Sequence, residues 1–282
     1  MSASGTAAKP KRISALISDV DGTLVTHDKV LTDRTRQAVQ ALQARGLGFA
    51  IVSARPPEGM RMFVEPLKLA SPIAGFNGGA YVKPDLTLIE DRTLDPEVAR
   101  RTLGLLETQG VDAWLFSEGR WFVRNPNGPK IAREEHTVQF APTVVPEFGT
   151  ALDKAHKLVG VSEDYDLLAR CEAEAQAMLG AAASAARSQP YYLDVTHPEA
   201  NKGTAVRRLA RLMGVPLEEV AVIGDGRNDI AMFAQCPFSI AMGNASDEVK
   251  AKARYVTASN EEDGLAQAIE RYLLSAGAES AA

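Results

Sequence analysis

The sequence predicts an α/β protein: a doubly wound parallel sheet with an α+β unit inserted into it. Three observations carry that prediction. Short apolar runs alternate with amphipathic helical stretches at both ends of the 282-residue chain. The alternation breaks off over roughly 83–190. Polar, chemistry-bearing residues stand where the apolar runs end.

ISALIS (13–18) is a short apolar run, the pattern of a strand buried on both faces. LTDRTRQAVQALQARG (31–46) follows as a helix: Thr32 suits the N-cap, Val39 and Leu42 share a face, and Gly46 ends it. LGFAIVS (47–53) is the second strand. GMRMFVEPLKL (59–69) is helical in part, broken or bent by Pro66, and PIAGFNGG (72–79) is a third strand running into a glycine turn. In the middle, VDAWLF (111–116) and RWFVR (120–124) flank Ser117-Glu118-Gly119, a hairpin signal that holds both tryptophans, Trp114 and Trp121. SEDYDLLARCEAEAQAML (162–179) reads as a helix capped by Ser162, and PYYLDV (190–195) as a strand returning the chain to the second alternating block. That block runs helix 201–214, strand 220–226, helix 228–235, strand 238–243, helix 247–253, strand 255–257 and helix 261–274. The expected organisation is a disordered tail (1–12), a Rossmann-like core (13–82 and 191–282) and an inserted α+β cap (83–190).

Composition narrows the classes of function. The chain carries 31 basic and 36 acidic residues, net −5, which does not suit a nucleic-acid partner. Two cysteines, Cys171 and Cys236, suit a reducing, cytoplasmic setting rather than a disulfide framework. No stretch has the apolar length of a membrane span, and the N-terminus lacks the pattern of a secretion signal. A monomer or homodimer is expected.

The chemistry concentrates at the predicted strand ends, where open parallel sheets bind ligands. SDVDGTLV (18–25) puts Asp19 and Asp21 one residue apart behind a buried strand. Like charges that close raise each other's pKa unless a cation intervenes, so the pair asks for a metal ion, a proton-transfer role, or both. Ser53 ends the second strand, Lys202 opens a helix beyond the return strand, and Asp225, Asn228 and Asp229 follow VAVIG. A dinucleotide loop at Gly224-x-Gly226 fails, because Asp229 stands where the third glycine belongs. The four histidines, His27, His136, His156 and His197, lack metal-ligand spacing and read as surface or structural groups.

DVDGTL (19–24), VSAR (52–55), NKG (201–203) and GDGRND (224–229), in that order, resemble the four motifs of the haloacid dehalogenase superfamily. FNGGA (76–80) and AMGNASDEVKAKARYVT (241–257) resemble its Cof-type branch (subclass IIB), which carries a large α/β cap. The branch commonly has Thr-Gly-Arg where this chain has Ser53-Ala54-Arg55, and leucine where it has Val20. The serine keeps the hydroxyl; the alanine adds a methyl to a tight loop.

The resemblance implies a Mg²⁺-dependent phosphatase acting on small phosphorylated metabolites, sugar phosphates foremost, through an aspartyl-phosphate. It makes Asp19 the nucleophile, Asp21 the general acid/base and Lys202 the neutraliser of phosphate charge. The metal falls to Asp19, Asp225, Asp229 and the main-chain carbonyl of Asp21. Gly22, Thr23, Ser53, Ala54, Lys202 and Asn228 are the implied phosphate-binding positions. Arg55 either reaches substrate or pairs with a nearby acid, and Asn77 reads as a turn residue at the cap hinge. A phosphotransferase or mutase on the same scaffold is the alternative. A non-enzymatic aspartate phosphoacceptor is a further one, against which the missing aspartate after the third strand counts.

Overall fold

The structure, a computed structural model, describes residues 12–275; the expected disordered tail lies, but for Arg12, outside the described residues. The chain opens with β1 (Ala15–Ser18), buried throughout, and α1 (Asp33–Ala44), where the Thr32 hydroxyl accepts the Thr35 N–H. β2 (Gly48–Ile51), the four-residue α2 (Arg61–Val64) and β3 (Ile73–Gly75) follow. β3 meets the core sheet through one parallel bridge, Val52 to Ala74. Left-handed residues at Phe76, Asn77 and Gly78 then reverse the chain into β4 (Ala80–Val82) and β5 (Leu88–Asp91), which form a small antiparallel sheet with β3.

Next come α3 (Pro96–Thr108), β6 (Asp112–Ser117), β7 (Arg120–Val123), α4 (Ile131–Val138), β8 (Thr143–Val144), β9 (Ala155–Val161), α5 (Tyr165–Leu179), β10 (Ser184–Gln189) and β11 (Tyr192–Thr196). Their strands make a six-stranded sheet, ordered β10-β11-β9-β6-β7-β8 and antiparallel except for the β7–β8 pair. Two expectations are corrected here. The strand expected at 190–195 to lead into the core is β11, hydrogen-bonded between β9 and β10. The helix expected to be capped by Ser162 is capped by Asp164, which accepts the Leu167 N–H; Ser162 accepts the Asp164 N–H instead.

The chain then returns through α6 (Lys202–Met213), β12 (Val220–Gly224), α7 (Ile230–Phe233), β13 (Phe238–Ala241), α8 (Asp247–Lys250), β14 (Tyr255–Val256) and α9 (Gly264–Ala268), which widens into a π-helical turn over Ile269–Leu274. The core sheet is parallel throughout, ordered β14-β13-β12-β1-β2.

Strand alternation makes the sheet doubly wound. Leu16, Phe49, Ile51, Ala221 and Ile223 point to one face, onto Val39 and Leu42 of α1 and Leu265 of α9. Ile17, Ala50 and Val222 point to the other, onto Val206 and Leu209 of α6 and Met232 of α7. Each buried leucine, isoleucine or valine among them stabilises the fold by about 2 kcal/mol through burial. The six-stranded sheet works the same way. Ala113, Leu115, Leu158, Leu193 and Val195 face α3 and α5. On its opposite face Trp114, Phe116, Trp121, Val123, Val159 and Val161 pack with Ile131 and Val138 of α4. Both tryptophans are therefore packing residues, with ring centroids 5.0 Å apart. Against the core, His156 stacks on Phe76 and bonds Asp91 at 2.9 Å.

Candidate active site

Carboxyl ends of three parallel strands converge on one point. Asp19 follows β1, Ser53 follows β2 and Asp225 follows β12, all at the same edge of the sheet. Lys202, the first residue of α6, reaches across from the opposite side; Asn201 caps that helix by accepting the Thr204 N–H.

Lys202 is 2% exposed and its ammonium donates to Asp19 Oδ1 at 2.5 Å and to Asp229 Oδ1 at 2.6 Å. Burial alone would lower the lysine pKa, yet the two carboxylates outweigh it and hold the value above the usual one. Asp229, fully buried, uses its other oxygen to accept the main-chain N–H groups of Asp225 and Gly226. It thereby shapes the loop that carries Asp225. One oxygen each from Asp19, Asp225 and Asp229 lies within 4.8 Å of the others.

Three carboxylates against one ammonium leave two negative charges uncompensated. Burial, with Asp229 and Asp225 adding and Lys202 opposing, raises the Asp19 carboxyl well above its usual range. Burial and Asp229 likewise raise Asp225 to about 6. The donor set is all hard oxygen, and the excess charge is that of a divalent cation. The residues therefore fit Mg²⁺, which takes a few carboxylates and keeps several waters. Gly22 completes the cradle. Its φ of +81° suits glycine, and a Cβ there would sit 2.3 Å from Asp225 Oδ2.

Asp21 meets opposite surroundings. The Arg55 guanidinium grips it with Nε at 2.7 Å and Nη2 at 2.6 Å, and Lys29 Nζ lies 2.8 Å from Oδ1. Burial works to raise this carboxyl, but Arg55 and Lys29 hold it well below the usual carboxylate range. Of the two sequence readings of Arg55, the geometry gives pairing with an acid. Arg55 is itself 4% exposed and also donates to Thr137 O of α4 at 2.6 Å.

The other candidate positions divide into two groups. Ser53, Ala54, Lys202 and Asn228 border one cavity of about 670 Å³ together with Asp19, Asp21 and Asp225. The Thr23 hydroxyl donates to Asp225 Oδ1 at 2.8 Å and orients that carboxylate. Gly22 contributes backbone shape, and its carbonyl accepts from Asn244 Nδ2. Sequence reasoning gave Asn77 only a turn role. It has the left-handed backbone of one, φ +57°, but also borders the cavity, and its Oδ1 accepts from Asn228 Nδ2 at 3.3 Å. Lys29, Glu134, Lys157 and Asp194 border the cavity too and were not singled out. No local pattern marks them; strand pairing and cap docking bring them in.

A parallel doubly wound sheet with an acidic cluster at its strand ends and an inserted cap defines a class of hydrolase, and comparison with known proteins agrees. Residues 16–269 match the family model of haloacid dehalogenase-like hydrolases, and the chain belongs to that family, in its Cof-type branch. It is a phosphoric monoester hydrolase. It is 27% identical to the 5-amino-6-(5-phospho-D-ribitylamino)uracil phosphatase YcsE of Bacillus subtilis (strain 168), over 93% of this chain and 96% of that protein. A haloacid dehalogenase-like hydrolase from Bacteroides thetaiotaomicron superposes with a TM-score of 0.85 at 28% identity, covering 92% of this chain and 99% of that one. A subclass IIB sugar phosphatase of the same superfamily superposes at 0.80 and 27% identity, covering 92% and 98%. Among the described residues no helix is long and apolar enough to cross a membrane.

Proposed function

We propose that this phosphatase is Mg²⁺-dependent and hydrolyses small phosphorylated metabolites, sugar phosphates foremost, through an aspartyl-phosphate on Asp19. The observation that carries the proposal is the buried meeting of Asp19, Asp225, Asp229 and Lys202, two positive charges short of neutrality. Asp19, Asp225 and the Asp21 main-chain carbonyl would hold the ion, with Asp229 orienting its surroundings. When bound, Mg²⁺ supplies charge neutralisation for the phosphate and for its attacking carboxylate.

The protein's own groups do the rest. The free Asp19 oxygen attacks phosphorus, and the P–O bond to the leaving group breaks. Lys202 restrains Asp19 and balances phosphate charge. Ser53 and Asn228 donate to phosphate oxygens. Asp21 gives a proton to the leaving alkoxide, then takes one from the water that cleaves the aspartyl-phosphate and restores Asp19. Asp21 rests ionised on Arg55 and Lys29, so it must exchange those partners and gain a proton as the phosphate dianion enters.

Support for polyhydroxylated substrates comes from the relatives, one acting by name on a 5-phospho-D-ribityl compound and one named a sugar phosphatase. The sheet memberships support cap boundaries near 92 and 197 rather than 83 and 190, since β5 pairs with β4 and β11 pairs inside the six-stranded sheet. A reducing cytoplasm suits the two buried free thiols.

The test is phosphate release from p-nitrophenyl phosphate. Release that requires Mg²⁺, stops with chelator and falls at least about 1,000-fold in Asp19→Asn, with circular dichroism unchanged, is the expected result. Parent-level release by Asp19→Asn would refute the assignment.

A further inference from the structure

Where the inserted unit meets the core, the core loop 57–60 fits between two parts of it. A Cβ on Gly59 would lie 3.1 Å from Val138 of α4, and one on Gly119, in the β6–β7 turn, 2.8 Å from Glu58 Oε1. Glu58 thus reaches from the core onto that turn. His156 of β9 lies beside the same end of β6, since its neighbour Ala155 pairs with Ser117. Two polar atoms of this contact, Glu58 Oε2 and His156 Nδ1, are buried with no hydrogen-bond partner.

His156 is 7% exposed and is held from the core side. Its ring stacks on Phe76, with centroids 5.4 Å and planes 17° apart, and its Nε2 lies 2.9 Å from Asp91 Oδ2. An ionised carboxylate only accepts, so Nε2 carries the proton of the neutral ring and Nδ1 is a bare lone pair. A lone pair and a carboxylate oxygen cannot bond each other. A second proton on the ring makes Nδ1 a donor, matches it to the unpaired oxygen of Glu58, and adds charge to the bond with Asp91.

Acidic groups reach the ring from three elements: Glu58 of the core loop, Asp91 of β5, and Glu118 of the β6–β7 turn. The cations nearby have other partners or stand behind these acids. Lys154 pairs with Glu118 at 2.5 Å, and Arg61 acts on Glu58. Arg92, next to Asp91, turns to Glu199; Lys157, next to His156, turns to Ala54 O and the Phe116 ring. Burial raises the Glu58 carboxyl, while its own main-chain N–H, Arg61 and His156 oppose.

We infer that His156 is a proton-operated latch: with both ring nitrogens protonated it bridges Asp91 and Glu58 and holds the inserted unit on the core, and when neutral it holds Asp91 alone. Imidazole is the side chain whose charge ordinarily changes between about pH 5 and 8, so the latch closes toward the acid side of that range and opens toward the alkaline side. Residues of α4 and of the six-stranded sheet border the catalytic cavity, so the latch sets how freely that cavity opens.

The test is amide exchange of the intact protein with Mg²⁺ at about pH 5.5 and about pH 8, read as protection factors so that the intrinsic pH dependence of exchange drops out. Residues 57–64 and 117–121 flank the latch. Relative to β12, they should be at least about tenfold better protected at the lower pH. His156→Gln keeps a donor for Asp91 but has no titratable ring, and Glu58→Gln removes the charged acceptor. In each the ratio of the two protections should fall to near unity. A parent ratio near unity overturns the inference. A parent-like ratio in either variant does so too, because lost packing alone lowers protection at both pH values and leaves their ratio. If His156→Gln does not fold, the parent series and Glu58→Gln decide the matter.

Discussion

Asp19 and Asp21 are two residues apart and are driven in opposite directions. Asp19 is buried among carboxylates, which push its carboxyl well above the usual range; Asp21 sits in the fork of Arg55, which holds it well below. Environments that push paired acids apart are how one site assigns different roles to chemically identical groups. The acidic cluster also leaves a mark on stability. The folded Asp225 carboxyl, at about 6, binds its proton more tightly than the usual value of 3.8 allows in the unfolded chain. Its contribution is therefore complete below about pH 4 and lost as pH rises through about 6. Denaturant titrations of the metal-free protein should show stability falling over that window by on the order of 1–3 kcal/mol. Saturating Mg²⁺ should remove the fall; a flat metal-free profile would contradict it. At this scale the motif residues were legible, because Asp19, Gly22, Lys202 and Asp225 lie in short stretches whose composition states their chemistry. Thr23 was legible in type but not in aim: nothing in the sequence says that its hydroxyl turns to Asp225. Lys157 and Asp194 were not legible, since each looks alone like an ordinary strand-borne charge.

At the scale of elements, periodicity fixed type better than partnership. The run at 190–195 has the signature of a buried strand wherever it pairs, and only tertiary contacts place β11 in the inserted sheet. The start of α5 shows the limits of capping rules. Ser162 and Asp164 are both credible caps, and the carboxylate two residues later takes the Leu167 N–H. Asp164→Ala should cost about 1 kcal/mol in denaturant melts, and Ser162→Ala less. Arg55 links two elements, joining the loop after β2 to the last turn of α4 through Thr137 O while clamping Asp21. Arg55→Met keeps an unbranched apolar side chain but removes both anchors and the guanidinium that lies over the Phe63 ring. A loss of about 2–3 kcal/mol is expected, with faster amide exchange concentrated over 131–138. Exchange that stays unchanged there would show that α4 is held by its apolar contacts alone.

Over the whole molecule, residues 183 positions apart meet at one ion pair, and a cap roofs it. The sheet supplies a rigid edge where strand ends gather, and the inserted unit supplies the opposite wall of the cavity. That division explains why order of motifs was enough to foresee which residues meet at the strand ends, whereas the cap wall became visible only after folding. The most direct measurement is borohydride trapping during turnover with Mg²⁺, followed by peptide mass spectrometry. An aspartyl-phosphate is reduced where a free carboxylate is not. The expected product is homoserine at position 19, dependent on substrate and metal and missing in Asp19→Asn. Continued turnover with Asp19 unreduced, or reduction at another carboxylate, would contradict the account.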